Sequence, residues 1–154
     1  MIYDLLTLGF LGILITIIIY DYKYLIIPNK LIFLLLIIGS IGILLNIKSL
    51  TQYLIGILFG FGLFFLLYLL FPKGIGFGDV KLAGAIGLFL GFKLTILAIL
   101  LAFFSGAIIG LLLIALGKKT MKDPIPFGPF LVFGAIASLF LGEYIIDWYL
   151  NLFI

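Results

Sequence analysis

The sequence contains no cysteine and no histidine, and its nine basic residues are all lysine. Without cysteine the chain forms no disulfide. Without cysteine and histidine the usual zinc ligand sets are excluded. So are Ser–His and Cys–His nucleophile pairs within the chain. Charge of either sign is scarce: 10% of the 154 residues are charged, against about a quarter in soluble domains. Hydrophobic residues make up 66%, and the mean hydropathy is +1.51. These values describe an integral membrane protein, read as a single domain over residues 1–154 with no room for a separate soluble one. In such a chain a net charge of +3 reports topology rather than an acidic or nucleic-acid partner.

Apolar runs divide the chain. Residues 5–20 are uncharged and end at Asp21. No basic residue precedes them and no small-residue cleavage site follows, so they read as a first span rather than a signal peptide. The chain then turns at Pro28, which lacks an N–H and disfavours helix at the residue before it. Residues 31–47 form the second expected span and residues 49–72 the third; about 20 apolar residues cross a bilayer. Residues 82–92 are too short to cross alone. They cross if the helix starts at Asp79 and Lys81 and Lys93 snorkel to the interfaces. Residues 94–117 are the fifth span, and residues 118–123 a basic loop. Pro124, Pro126 and Pro129 cannot all lie inside a helix, so this stretch reads as a rigid re-entry before a sixth span over residues 130–142. Glu143, Asp147, Trp148 and Tyr149 mark an interface.

Lysine placement orders these segments. If all six cross, Lys23, Lys30, Lys73, Lys81, Lys118, Lys119 and Lys122 share one side and Lys48 and Lys93 the other, seven against two. If the fourth does not cross, the split is five against four. Lysine excess marks the cytoplasmic side, so the expectation is an all-α polytopic membrane bundle of about six transmembrane helices with both termini outside. Small residues recur at a spacing of four: Gly56 with Gly60, Gly87 with Gly91, Gly106 with Gly110, and Gly134 with Ser138 and Gly142. Such stripes let helix backbones approach closely and are read as packing.

Two acids stand out on this frame. Asp21 ends the first span and Asp79 begins the fourth, both on the inner side. Asp4, Glu143 and Asp147 fall on the opposite side, and Asp123 sits beside Lys122 in the basic loop. Around Asp79, Gly74, Gly76 and Gly78 take alternate positions; lacking Cβ, they let the backbone lie close to another chain. The plain reading is a turn followed by an N-cap aspartate. An acid at membrane depth is also a functional-site hypothesis by default, and the second acid on the same side favours it.

Three chemistries fit such a pair. The first is hydrolysis of a peptide bond, where two close carboxylates share a proton. One acts as base toward a water and the other as acid toward the carbonyl oxygen. A helix N-terminus at Asp79 favours it as the base, but the pKa values of such a pair belong to both groups and leave the assignment open. The second is phosphoryl transfer with the acids holding Mg²⁺, which usually calls for more carboxylates and for cationic phosphate ligands. The third is ion-coupled transport, which usually places acids near the bilayer midplane; none lies mid-span here.

The motifs resemble a known family. Gly76-Phe77-Gly78-Asp79 resembles the G-x-G-D signature of membrane aspartic proteases, and its extension through Val80-Lys81-Leu82 is similar to that of type IV prepilin peptidases. Asp21 followed by Ile27-Pro28-Asn29 resembles the family's first catalytic aspartate and the Ile-Pro pair after it. Pro124-Ile125-Pro126-Phe127-Gly128-Pro129-Phe130 resembles its proline-rich re-entry. The resemblance implies a peptidase of the plasma (inner) membrane that needs no cofactor. It would remove the basic leader of prepilins or pseudopilins after a glycine on the cytoplasmic face. Asp21 and Asp79 would be the catalytic pair, with Gly76, Gly78, Lys81 and Pro28 in support. Lys81 reads equally as a snorkelling lysine, Lys23 as a topology determinant, and the loop glycines as a simple turn. Long members of the family carry an N-terminal segment with paired Cys-x-x-Cys zinc ligands linked to N-methylation. This sequence has neither, and resembles a short form with peptidase activity and no methyltransferase. The competing reading is a non-enzymatic transporter or assembly subunit on the same scaffold.

Overall fold

The computed structural model describes residues 2–45, 50–72, 74–120 and 123–152. Lys48, Lys73 and Lys122, which entered the charge comparison, lie outside them, as do Ile47 and Ser49 at the joint of the second and third expected spans. Six helices follow one another: α1 (Ile2–Tyr24), α2 (Asn29–Leu45), α3 (Leu50–Leu70), α4 (Phe77–Leu90), α5 (Phe92–Ala115) and α6 (Gly128–Asn151). Each rises from an expected apolar run, with shifted ends. α1 continues past Asp21, which therefore lies in its last turn. α4 starts two residues before Asp79. α6 runs on through Glu143 and Asp147 to Asn151, because no proline or glycine after Gly142 interrupts it.

Four helices, α1, α3, α5 and α6, are long and apolar enough to cross a membrane. α2 has 17 residues, the lower end of the crossing range. α4 has 14, so at about 1.5 Å per residue it reaches about 21 Å, short of a hydrocarbon core of about 30 Å. It has no need to match the lipid, because other helices wrap it. Asp79, Val80, Leu90 and every residue from 82 to 88 are buried. A helix apolar on all sides belongs in an interior, and α4 touches α2, α3, α5 and α6. Phe89 also stacks on Phe10 of α1 at 3.8 Å. Instead of two lysines holding out a short span, a central strut carries Asp79 into the bundle, while Lys93 falls in α5 and is exposed.

Glycines set how closely this strut is held. A Cβ on Gly56 or Gly60 of α3 would collide with the carbonyl oxygens of Gly87 and Ala83 on α4, and one on Gly134 of α6 with that of Ala98 on α5. Lipid offers no hydrophobic drive between helices, so this backbone-to-backbone fit does the holding. Gly91 does something else. At φ 77 it ends α4, its N–H donating to the Gly87 carbonyl at 3.0 Å, and α5 begins at the next residue. Glycine takes this left-handed conformation without strain.

The contacts give the helices their directions. Phe10 meets Phe89, Gly39 meets Leu88 and Gly56 meets Gly87 at one end. At the other end Asn29 meets Lys81, Tyr68 meets Phe77 and Asp21 meets Gly128. The six helices therefore alternate, and both aspartates share one end. Among the described lysines, Lys23, Lys30, Lys81, Lys118 and Lys119 belong to that end and Lys93 to the other.

Two turns at this end are pinned. Between α1 and α2, the Ile27 side chain is buried against Gly78, where an added Cβ would come 3.2 Å from it. Leu25 in the same turn has φ 55, alone among the described non-glycine residues in being positive; for an L-residue this costs roughly 1–2 kcal/mol. Before α6, Phe127 is wedged against Phe64 of α3 and Phe103 of α5, with ring centroids 5.7 and 5.3 Å away.

Candidate functional site

These pinned turns bring the two acids together. Asp21 sits in the last turn of α1 and Asp79 in the first turn of α4, and both are buried, at 5% and 8% exposure. Asp21 Oδ2 accepts the backbone N–H of Gly128 at 2.9 Å. That N–H belongs to the first residue of α6, one of the amides a helix leaves without an internal partner. Phe127 next to it is the ring held by Phe64 and Phe103, so the aromatic cluster sets where the amide points. Gly128 lies so near that a Cβ there would run into the Asp21 carboxylate.

Asp79 is handled by its own helix. Its Oδ2 accepts the N–H of Gly76 at 3.2 Å, three residues earlier. Gly76, not Asp79, occupies the capping position, and Asp79 reaches back from the third helical residue as a capping-box acid does. Each carboxylate thus sits at a helix N-terminus, Asp79 at α4 and Asp21 at α6. The dipole argument that favoured Asp79 as base applies to both and does not choose between them. Asp79 Oδ1 is buried with no hydrogen-bond partner among the described residues, a costly state for a polar atom unless something else meets it.

Both aspartates line a cavity of about 340 Å³, together with Leu25, Asn29, Gly76 and Lys81. Both also line a second cavity of about 210 Å³, walled by Pro72, Pro126 and Phe127. The two cavities share Asp21, Leu25, Gly76 and Asp79, so both open onto the pair.

The sequence-marked residues take different places around this pair. Gly76 supplies the amide to Asp79. Gly78 gives room to Ile27 and so fixes α2 against α4. Lys81 lines the larger cavity, but its ammonium donates to Asn29 Oδ1 at 2.7 Å and lies 5.0 Å from the Phe77 ring centroid. Among the described residues it makes no ion pair with either aspartate. Pro28 lines neither cavity; its carbonyl accepts the N–H groups of Leu31 and Ile32 and opens α2. Asp123 stays apart in an exposed loop, where hydrogen bonds from the Thr120 amide and hydroxyl hold its carboxyl below the usual range. Gly128 and Asn29 are the site residues that sequence reasoning missed. Both stand inside quoted motifs, and a glycine immediately before the last proline was the available signal for the first.

In chemical terms, the arrangement offers two carboxylates, two backbone amides and two cavities that both reach the pair. Among the described residues, no group of three or more histidine, cysteine or acidic side chains gathers in a metal-binding arrangement.

Comparison with known proteins gives the lineage. The model of the type IV leader peptidase family matches residues 8–111. A prepilin leader peptidase/N-methyltransferase of Bacillus subtilis is 29% identical over 144 residues, 93% of this chain and 58% of that protein. One from Pseudomonas aeruginosa is 34% identical over 137 residues, 85% of this chain and 47% of that protein. One from Burkholderia pseudomallei is 43% identical over 70 residues, 46% of this chain and 23% of that protein. The chain thus spans about half the length, or less, of these curated relatives. No solved structure matches it. With more than half of its residues matched by the family model, including Asp21 and Asp79, the chain belongs to the type IV leader peptidase family.

Proposed function

We propose that the protein is a membrane aspartic endopeptidase. It cleaves the leader peptide from type IV prepilins or pseudopilins at the cytoplasmic face of the plasma membrane, with Asp21 and Asp79 as the catalytic pair. One observation carries this reading: the two aspartates, from different helices, line the same cavity. Family membership and the names of the relatives support the substrate class. The lysines gathered at the aspartate end support the cytoplasmic orientation.

The chemistry follows from the geometry. A water between the carboxylates loses a proton to whichever aspartate enters the cycle ionised, and its oxygen attacks the scissile carbonyl carbon. The other aspartate, entering protonated, donates to the carbonyl oxygen as it gains charge. Collapse of the tetrahedral centre breaks the C–N bond: the departing amine takes the proton that the base acquired, and one hydroxyl of the gem-diol returns its proton to the other aspartate, which leaves a carboxylic acid and the pair as it began. Gly128 and Gly76 act through the aspartates, each holding one carboxylate oxygen in place. Asp79 Oδ1 is buried with no hydrogen-bond partner among the described residues, which leaves this oxygen uncommitted to any other contact. Both cavities are lined by Asp21 and Asp79, so a peptide seated in either lies against the pair.

The test is cleavage itself. The purified protein in liposomes is mixed with a prepilin, and the products are weighed by mass spectrometry. A single cut that releases the basic leader is expected. A prepilin left intact by well-folded protein would contradict the proposal.

A further inference from the structure

Leu25 closes α1 in a conformation that glycine ordinarily supplies. Its φ is 55, and its N–H donates to the Asp21 carbonyl at 2.9 Å, so the residue is fixed to the backbone that carries Asp21. Burial of the side chain does not repay the strain, since Leu25 is 52% exposed. Its location accounts for the choice. Leu25 lines the larger aspartate cavity, the smaller one, and a third groove beyond them walled by Tyr22, Ile125 and Phe130. A glycine here would close the helix without strain but would give these spaces no side chain at this position. A strained residue held in place at a cleft is a mark of function.

We propose that Leu25 is a specificity-determining residue, the apolar wall against which a substrate side chain next to the scissile bond packs. The inference rests on the peptidase reading above. The left-handed turn holds the leucine one helical turn from Asp21, so a side chain packed on it brings its neighbouring peptide bond to the carboxylates. The contact is apolar and half-open. It discriminates by size and shape, and the loss of a few methylenes from such a pocket is worth about 10–200-fold in kcat/KM.

The experiment uses full-length wild type, Leu25→Ala and Leu25→Gly in liposomes. The prepilins carry Ala, Leu, Phe or Trp at each position flanking the cut, and kcat, KM and thermal midpoint are measured together. Both variants are expected to lose about 10-fold or more in kcat/KM on the parent substrate. They should regain part of it on substrates with a larger flanking side chain, reversing the wild-type order. The thermal midpoint of Leu25→Gly should equal or exceed that of wild type, because glycine relieves the strain. A uniform loss across the panel with a lowered midpoint would make Leu25 only a helix cap and overturn the inference. An unchanged order of preference in active variants would also overturn it while leaving the peptidase reading intact. Wild type that cleaves none of the panel would end both.

Discussion

The backbone N–H of Gly128 donates to the carboxylate of Asp21 at 2.9 Å across 107 positions of sequence. This bond joins the first helix to the last at the end where Asp79 also lies. It makes the proline-rich turn part of the site rather than a connection beside it.

Gly128→Ala tests that bond. The added Cβ would approach Asp21 Oδ2 to about 2.5 Å, so the carboxylate must move. A displacement of about 1 Å in a catalytic group costs on the order of 10²-fold. Prepilin cleavage is expected to fall by about that factor while the protein still inserts and folds. Cleavage at the wild-type rate would show that the amide does not position Asp21.

The glycine contacts of α4 predict a contrast in stability. Gly87→Ala and Gly56→Ala place a methyl group on a facing carbonyl and should destabilise by roughly 1–3 kcal/mol, the usual cost of overpacking. Gly12→Ala and Gly62→Ala meet nothing within 4 Å and should be neutral or stabilising by about 0.4–1 kcal/mol. Thermal midpoints in detergent give the order. Equal effects in both pairs would mean that α3 and α4 are not held by backbone contact.

Much of this arrangement was legible from residue types, and the reasons are physical. Long uncharged runs read as helices because lipid leaves the backbone no other partner. The lysine split placed Asp21 and Asp79 at one end because alternation of the spans carries through the chain. The glycine before Pro129 marked the turn, but the partner of its amide was not legible: a hydrogen bond across 107 positions leaves no local pattern, and only the aromatic wedge at Phe127 explains its aim. The place of α4 was also hidden. A run of 11 residues between lysines looks like a strained span, and its burial on every side depends on the glycines of α3. Leucine at Leu25 carries no turn signal at all, so its left-handed backbone had no sequence mark.

Orientation is open to direct labelling, since the chain has no cysteine background. Single cysteines at Gly76 and Thr120 should be protected from an impermeant reagent in intact cells, and one at Leu152 should be labelled. The lysine excess at the aspartate end motivates this. Labelling at Thr120 with protection at Leu152 would reverse α6 and place the aspartates outside.

Metal removal separates the peptidase reading from phosphoryl transfer. The chain has no histidine or cysteine, and no third acid joins the pair among the described residues. A chelator is expected to leave prepilin cleavage unchanged. Activity lost on chelation and restored by Mg²⁺ would move the pair to metal binding.

The most direct measurement of the central claim is the rate of prepilin cleavage by Asp21→Asn, Asp79→Asn and the double variant, with Asp123→Asn as the control. Asparagine keeps the size of aspartate and removes the titratable proton. General acid–base work is worth about 10²–10⁴-fold, and groups acting as one unit are not additive. Each single variant should therefore lose nearly all activity, the double variant should lose no more, and Asp123→Asn should stay close to wild type. Midpoints and membrane insertion are followed alongside, because losing the contact to Gly76 alone costs about 0.5–2 kcal/mol of stability. A folded Asp21→Asn or Asp79→Asn protein that cleaves prepilin near the wild-type rate would contradict the account.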